Sequence, residues 1–544
     1  MHNVDGADSG DELFMKISAR RGLYTALFAI GTLVVLFLAY IPIIRAHQGW
    51  EDEIYWASTC LSLLRHKGAI PSVLADFPSP ANPLRFYGPT LFWLGVAVLK
   101  IFGFSMRTWR SFAFAGNIAY LASIGVLFYR LRRSWTVVMG AVLFFSLSIG
   151  ISFGISLPGR PDAWTLALIV LSLALVAKQA AEDEPTASMV RRWVGFGALL
   201  GIAVSTTPRV WPLLALMVAL LPLLLVAQHK IWAVTITVAT MLVVWSAILL
   251  PLRMTPWGSV ASVRHASVGD AVDVSPLMGG SWGFGHATTQ LLYYGALLVV
   301  LGLVDISRWS QITRFQRWLL AVSVLNMGAT VLLTARALNM NTYWGFLLEI
   351  AAVSAWTEAA PRMRLRIAWS IGAILCVFMV VLRAARELPS LLHWRQRNPM
   401  LVEQELRANI PSGSVVYGIP GRYFYPALII GADYRHPVDW SSAGRASTPG
   451  HPGLPAPMRD ACRATAAFLI WPDGEQSQPL PPLPYATPER IANYSAPPQR
   501  RSAVERMVEK VPGGRGEEDQ DEFAIYRLRL NSSYCLEADA ADPR

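Results

Sequence analysis

Long apolar runs without a single charge constrain this chain more than any other feature. The stretches 22–44, 134–159 and 231–252 contain no Asp, Glu, Lys or Arg. About 20 such residues carry a helix across the hydrocarbon of a bilayer, and helices satisfy their own backbone there. The first run follows Arg20 and Arg21. It is too long for the apolar segment of a signal peptide and has no small-residue cleavage site, so it reads as a span. Charged residues make up 15% of the 544, against about 25% in a soluble domain. The expectation is an α-helical polytopic membrane protein.

A net charge of +11 would suggest nucleic acid if the basic residues formed one surface. They fall instead in short loops between apolar runs: Lys16, Arg20 and Arg21; Arg130, Arg132 and Arg133; Arg191 and Arg192; His229 and Lys230; Arg308, Arg314 and Arg317; Arg362, Arg364 and Arg366. That is the positive-inside pattern of cytoplasmic loops, and no nucleic-acid partner is expected. An even number of crossings must separate any two such loops. The stretch 87–104 contains Lys100 and opens with Gly88-Pro89, so it reads as a helix lying at the interface. Spans are then expected near 22–44, 109–129, 136–156, 161–178, 193–206, 209–227, 231–252, 288–304, 317–335, 341–357 and 367–384. About eleven crossings leave the tail 1–21 in the cytoplasm and the C-terminus outside. The expected location is a bacterial inner membrane, with a first periplasmic loop at 45–108. Residues 193–227 form a hairpin turning at Thr206-Thr207-Pro208-Arg209. Its arms are short, which is tolerated where the tip lines a cavity inside protein.

Past residue 385 the character changes. Strand-like runs appear at 414–417, 467–471 and 523–526, with a helix-like segment at 399–409 and a Pro-rich stretch at 479–488. A small extracytoplasmic α/β domain over 385–544 follows. Cys376 falls in a span, while Cys60, Cys462 and Cys535 fall on the oxidising side. A disulfide between Cys462 and Cys535 fits that placement, although spacing alone does not establish it.

Chemistry must come from polar groups at the outer ends of spans. Trp50-Glu51-Asp52-Glu53-Ile54-Tyr55 follows the first span directly. These acids either open a solvated amphipathic helix over 53–66, where its N-terminus favours them, or supply a base that takes a proton from an incoming hydroxyl or amine. Asp162, in Pro158-Gly159-Arg160-Pro161-Asp162, is placed by topology on the same outer face. It either caps a helix beside Arg160 or joins Asp52 as a ligand for substrate or for a divalent metal ion. Glu349 falls deep in the tenth span, where a carboxylate is a functional candidate or the partner of an Arg. The stretch 253–287 combines Gly258, Gly269, Gly279, Gly280, Gly283 and Gly285 with Trp257, Trp282 and Phe284. It reads equally as a closing lid or as an aromatic belt.

From 50 to about 385 these motifs resemble the GT-C membrane glycosyltransferases of the protein mannosyltransferase and lipid A aminoarabinose transferase type, glycosyltransferase family 39. Their Asp-Glu pair after the first span is matched by Asp52-Glu53 with Tyr55 close behind. Their Pro-containing segment is matched by Tyr87-Gly88-Pro89-Thr90-Leu91-Phe92-Trp93 through Phe102-Gly103, and their following Arg by Arg107 or Arg110. Their second acid corresponds to Asp162 and their hairpin tip to Thr207-Pro208-Arg209, with Arg in place of Lys. Gly88 departs from relatives that carry Lys or Pro there, so a phosphate-contacting charge is absent or comes from Arg85. The register of the acid is read as Asp52, with Glu51 or Glu53 as the alternative.

The resemblance implies a polyprenyl-phosphate sugar as donor and a cell-envelope glycan, lipid or protein as acceptor. It implies catalysis by Asp52, Glu53 and Asp162. The lipid phosphate would be held by Arg85, Arg209, Arg264, His265 and Arg336, since Arg suits phosphate in a fork geometry. Tyr55, Tyr87 and Trp282 would contact substrate. A flippase for lipid-linked sugars is the first alternative, although inverted repeats and broken midplane helices are not evident. A non-catalytic membrane scaffold is the second.

Overall fold

The computed structural model describes residues 22–38, 40, 51–65, 72–74, 88–152, 161–177, 186–225, 230–259, 284–307, 312–333, 342–358, 363–392, 399–418, 423–435, 459–472, 480, 483, 485–495 and 522–540. Helices occupy the apolar stretches in turn: α1 (Gly22–Leu38), α2 (Glu51–Leu64), α3 (Pro89–Phe102), α4 (Met106–Arg132), α5 (Trp135–Ser152), α6 (Asp162–Val176), α7 (Thr186–Thr206), α8 (Trp211–Ala219), α9 (Leu221–Leu224), α10 (Lys230–Leu249), α11 (Phe284–Ser307), α12 (Arg314–Leu333), α13 (Thr342–Glu358) and α14 (Met363–Leu392). By length and composition, Met106–Arg132, Ala187–Thr206 and Ile231–Leu252 are able to cross a membrane, and shorter apolar helices accompany them.

Their outward faces are apolar. Leu23, Leu27, Ile30, Leu33 and Phe37 on α1 are exposed, as are Ile231, Trp232 and Val243 on α10 and Ile374, Val377 and Val381 on α14. Faces of this size in water would carry a hydrophobic penalty of about 25 cal/mol per Å². Lipid removes it, and the chain is a membrane protein. The expected span 209–227 is instead the two short helices α8 and α9. Pro222 stands at the start of α9, where its ring and missing N–H break a helix running through.

The bundle core joins α4 to α7 and α10 to α14 around buried Tyr120, Phe145, Leu166, Phe196, Trp318 and Phe346. On α7, Gly197 and Gly201 lie one turn apart, and a β-carbon there would meet the Thr237 and Met241 carbonyl oxygens of α10 at 2.5 and 2.8 Å. Small residues at this spacing let two helix backbones approach closely in a membrane. Helices α4 and α6 run parallel. Trp164 Nε1 donates to the Phe112 carbonyl at 3.1 Å near their starts, and Arg130 donates to the Ala174 carbonyl at 2.9 Å near their ends. Arg132 likewise reaches the Ser354 carbonyl of α13 at 2.9 Å. Cations suit the carbonyl-rich C-terminal ends of helices.

At the opposite end of α4 a second core begins. It unites α2, α3 and the start of α4 with a five-stranded sheet of order β2-β1-β3-β5-β4. The strands are β1 (Val415–Gly418), β2 (Asp433–Arg435), β3 (Ala467–Pro472), β4 (Ala486–Ser495) and β5 (Glu522–Leu530). β1 is parallel to β2 and β3, while β3–β5 and β5–β4 are antiparallel. Flanking helices are α15 (Pro399–Asn409), α16 (Phe424–Ile429), α17 (Arg459–Arg463) and α18 (Ser532–Ala540). A disulfide joins Cys462 on α17 to Cys535 on α18. Three of the strands were expected. β4 begins inside the Pro-rich stretch read as a connection, and Pro488 is accommodated because β4 is an edge strand that can spare ladder donors.

Candidate active site

The first turn of α2 sets the geometry. Acids favour a helix N-terminus, yet this helix is not the solvated amphipathic one, the first of the two readings its sequence left open. Glu53, Ile54 and every residue from Trp56 to Leu61 are buried, because α3 and the C-terminal sheet cover it on several sides. Its carboxylate is met there by several donors. Arg110 on α4 holds the carboxylate with both prongs, Nε to Oε1 at 2.9 Å and Nη2 to Oε2 at 3.0 Å. The Tyr425 hydroxyl of α16 donates to Oε1 at 3.2 Å. Both side chains of the ion pair have no exposed surface. Geometry of this quality is what lets a buried pair offset its desolvation. Burial, reinforced by the negative Glu53 beside it, pushes the Tyr425 phenol well above its ordinary value of 10.0 and outweighs the opposing pull of Arg110. Tyr425 is therefore a phenol donor at neutral pH. Of the two arginines left open by the sequence, Arg110 is the one in the site, while Arg107 is exposed.

A second cluster forms where three segments meet. Asp162 is the first residue of α6 and only 2% exposed. One turn on, Thr165 Oγ1 lies 2.7 Å from Thr207 Oγ1 at the hairpin tip. The tip also grips the start of α3: the Gly88 N–H donates to the Thr206 carbonyl at 2.8 Å, and the Thr90 and Ser205 hydroxyls lie 2.7 Å apart. A side chain at Gly88 would collide with the backbone of Ser205. The departure from Lys or Pro at this position is thus a close approach between two backbones. Arg209 follows on the exposed side of a short turn, Pro208–Val210.

The two clusters share one end of α4. Arg110 is anchored to Glu53, and two residues later the Phe112 carbonyl receives Trp164, itself two residues after Asp162. Tyr55 is half-buried one residue beyond Ile54. Asp52 lies in the backbone of the first turn of α2. Its side chain lies outside the described residues, as do Arg85, Tyr87, Arg264, His265, Trp282 and Arg336. Trp257 is exposed, and 260–283, most of the expected lid, is also outside the described residues. Among the described residues no group of three or more His, Cys, Asp or Glu side chains comes together. Deep in the bundle, Glu349 has no exposed surface and accepts a hydrogen bond from Ser148 at 2.9 Å.

Sequence reasoning missed Tyr425, Thr90, Thr165 and Ser205. Thr165 had a signal, since it falls three residues after Asp162 and so on the same helix face. Tyr425 had none: it sits among aromatic residues that flank the C-terminal sheet, 372 positions from Glu53.

No family model matches the chain, and no curated protein matches it. Among solved structures it is similar to ArnT from Cupriavidus metallidurans bound to undecaprenyl phosphate, with 14% identity, 92% of this chain and 97% of that chain covered, and a TM-score of 0.57. The Archaeoglobus fulgidus oligosaccharyltransferase in complex with Zn and sulfate aligns at a TM-score of 0.45 and 14% identity, over 74% of this chain. The chain spans 62% of that protein's length. At 14% identity the likeness to ArnT is one of architecture, and it bears out the resemblance read from the motifs: the chain has the fold of the GT-C membrane glycosyltransferases.

Proposed function

We propose that this protein is a membrane glycosyltransferase that moves a sugar from a polyprenyl-phosphate donor to a cell-envelope glycan, lipid or protein at the periplasmic face of a bacterial inner membrane. The observation that carries this reading is the buried Glu53–Arg110 pair. It fixes the first turn of α2, and so the residue before Glu53, at the same end of α4 as the buried Asp162. A similar fold in ArnT bound to undecaprenyl phosphate supports a lipid-phosphate donor. The arginines at the other end of α4 support the orientation, about eleven crossings with 1–21 inside and 385–544 outside.

Asp52 takes the proton of the acceptor hydroxyl or amine as that atom bonds to the anomeric carbon of the sugar. The bond from that carbon to the phosphate oxygen breaks on the opposite face, inverting the centre. Its electron pair leaves on the lipid phosphate, a weak base that needs positive charge more than a proton. Arg209, at the tip beside Thr207, supplies part of that charge with Arg85, Arg264, His265 and Arg336. Asp162 orients the acceptor, and Tyr55, Tyr87 and Trp282 pack against the sugar. Glu53, enclosed by three donors, anchors Asp52 and does not touch substrate. A divalent ion at this mouth would have Asp52 and Asp162 as its carboxylates and would screen the charge of the lipid phosphate.

The test is transfer of radiolabel from polyprenyl-phosphate sugars by membranes containing wild type, Asp52→Asn or Asp162→Asn at equal protein levels. Product from wild type, reduced roughly 10²–10⁴-fold in Asp52→Asn, is the expected result for loss of a general base. An Asp52→Asn protein as active as wild type would remove the assignment of the base. No product from wild type with any donor would remove the transferase reading.

A further inference from the structure

The Glu53 carboxylate is held from two directions that belong to different parts of the chain. Arg110 reaches it from a long helix of the bundle, and Tyr425 reaches it from the C-terminal α/β domain. The bundle alone would place Glu53 through one side chain. The second contact ties α2 to α16. Arg65, just past the end of α2, pairs with Asp433 of β2 at 3.1 Å, and Phe104, between α3 and α4, packs on Phe424 and Tyr425 with ring centroids 6.0 and 6.1 Å apart. The hydroxyl of Tyr425 is the only polar atom of that side chain, and a buried tyrosine hydroxyl needs a partner. Here the partner is the residue that follows the proposed base.

We propose that Tyr425 is a positioning residue: its hydroxyl, the contact the C-terminal domain makes with the Glu53 carboxylate, sets the rotation of the α2 turn that presents Asp52. A helix carries consecutive residues about 100° apart, so fixing Glu53 also fixes the direction from which position 52 faces the mouth. Small errors of placement are enough to slow a reaction that depends on alignment. The C-terminal domain is then part of the catalytic apparatus and not an appended acceptor-binding module. The functional half of this inference rests on the transferase reading; the structural half does not.

The experiment uses the purified full chain in lipid nanodiscs, comparing wild type, Tyr425→Phe and Phe424→Leu. Phe424→Leu perturbs the same packing without touching the hydrogen bond. Two readouts are taken: transfer from undecaprenyl-phosphate-linked hexose and aminopentose, and hydrogen–deuterium exchange of peptides covering residues 51–57. In Tyr425→Phe, exchange in 51–57 is expected to rise about tenfold, the effect of losing one hydrogen bond to a charged group, while peptides of α4 stay unchanged. The kcat falls about tenfold with the donor KM within twofold. Unchanged exchange in 51–57 overturns the inference whatever the activity does. An equal loss of kcat in Phe424→Leu overturns it as well, because general packing would then explain the effect. If wild type transfers no sugar, the transferase reading fails, and the exchange measurement alone decides whether Tyr425 positions α2.

Discussion

A β-carbon at Gly88 would lie 1.8 Å from the carbonyl oxygen of Ser205. The start of α3 and the hairpin tip are therefore packed backbone on backbone, with the Gly88 N–H bonded to the Thr206 carbonyl. Gly88→Ala is expected to push these segments apart and to lower stability by about 1–3 kcal/mol, the usual range for overpacking. Thermal unfolding in detergent measures it, and a midpoint equal to that of wild type would contradict the close approach.

Arg110→Met leaves the Glu53 carboxylate buried with Tyr425 as its remaining partner among the described residues. Stripping one side from a buried ion pair costs about 3–5 kcal/mol. Replacing both residues with Met removes the stranded charge, and the double variant is expected to regain most of the lost stability while losing transfer activity. A double variant no more stable than Arg110→Met would show that the pair is not the source of the penalty.

Tyr425 adds an alkaline limit to stability. Its folded phenol is held above the ordinary value of 10.0, so the folded state keeps a proton that the unfolded chain has released. That contribution is complete below pH 10 and is lost as pH rises above it, at up to about 1.4 kcal/mol per pH unit. Unfolding midpoints from pH 8 to 11 are expected to fall more steeply for wild type than for Tyr425→Phe. The buried Cys60 thiol is also raised, but it is common to both proteins and cancels in the comparison. Parallel curves above pH 10 would contradict the burial of Tyr425.

The chain has four cysteines, of which Cys60 and Cys376 are free. Thiol titration of the denatured protein should find two before reduction and four after it. The Cys462–Cys535 bond closes a separation of 73 residues, so replacing both with Ser is expected to lower the stability of the C-terminal domain by about 4 kcal/mol. Four thiols without reductant would contradict the bridge.

The parts legible in the sequence were those governed by local pattern. Charge-free runs became helices α1, α5 and α10, and the apolar β-branched and aromatic runs became β1, β3 and β5. β2 escaped notice because three residues with Asp433 at one end and Arg435 at the other carry no strand signal. β4 escaped because an edge strand, with Pro488, Glu489, Arg490 and Asn493, reads as a loop. Asp52-Glu53, Asp162 and Thr207 stand out as candidate site residues from their order and placement along the chain.

By itself, the sequence determined that this chain enters a membrane, and which loops between its apolar runs gather acids and which gather arginines. Each of these follows from the free energy of transferring a residue and its nearest neighbours between water and hydrocarbon. Only the tertiary structure decided that Glu53 is enclosed and tied to Arg110, 57 residues on, and to Tyr425, 372 residues on. It alone decided that Gly88 is demanded by Ser205. A buried charge is tolerated, and a side chain forbidden, by atoms that folding brings from far along the chain, and no local pattern carries that information.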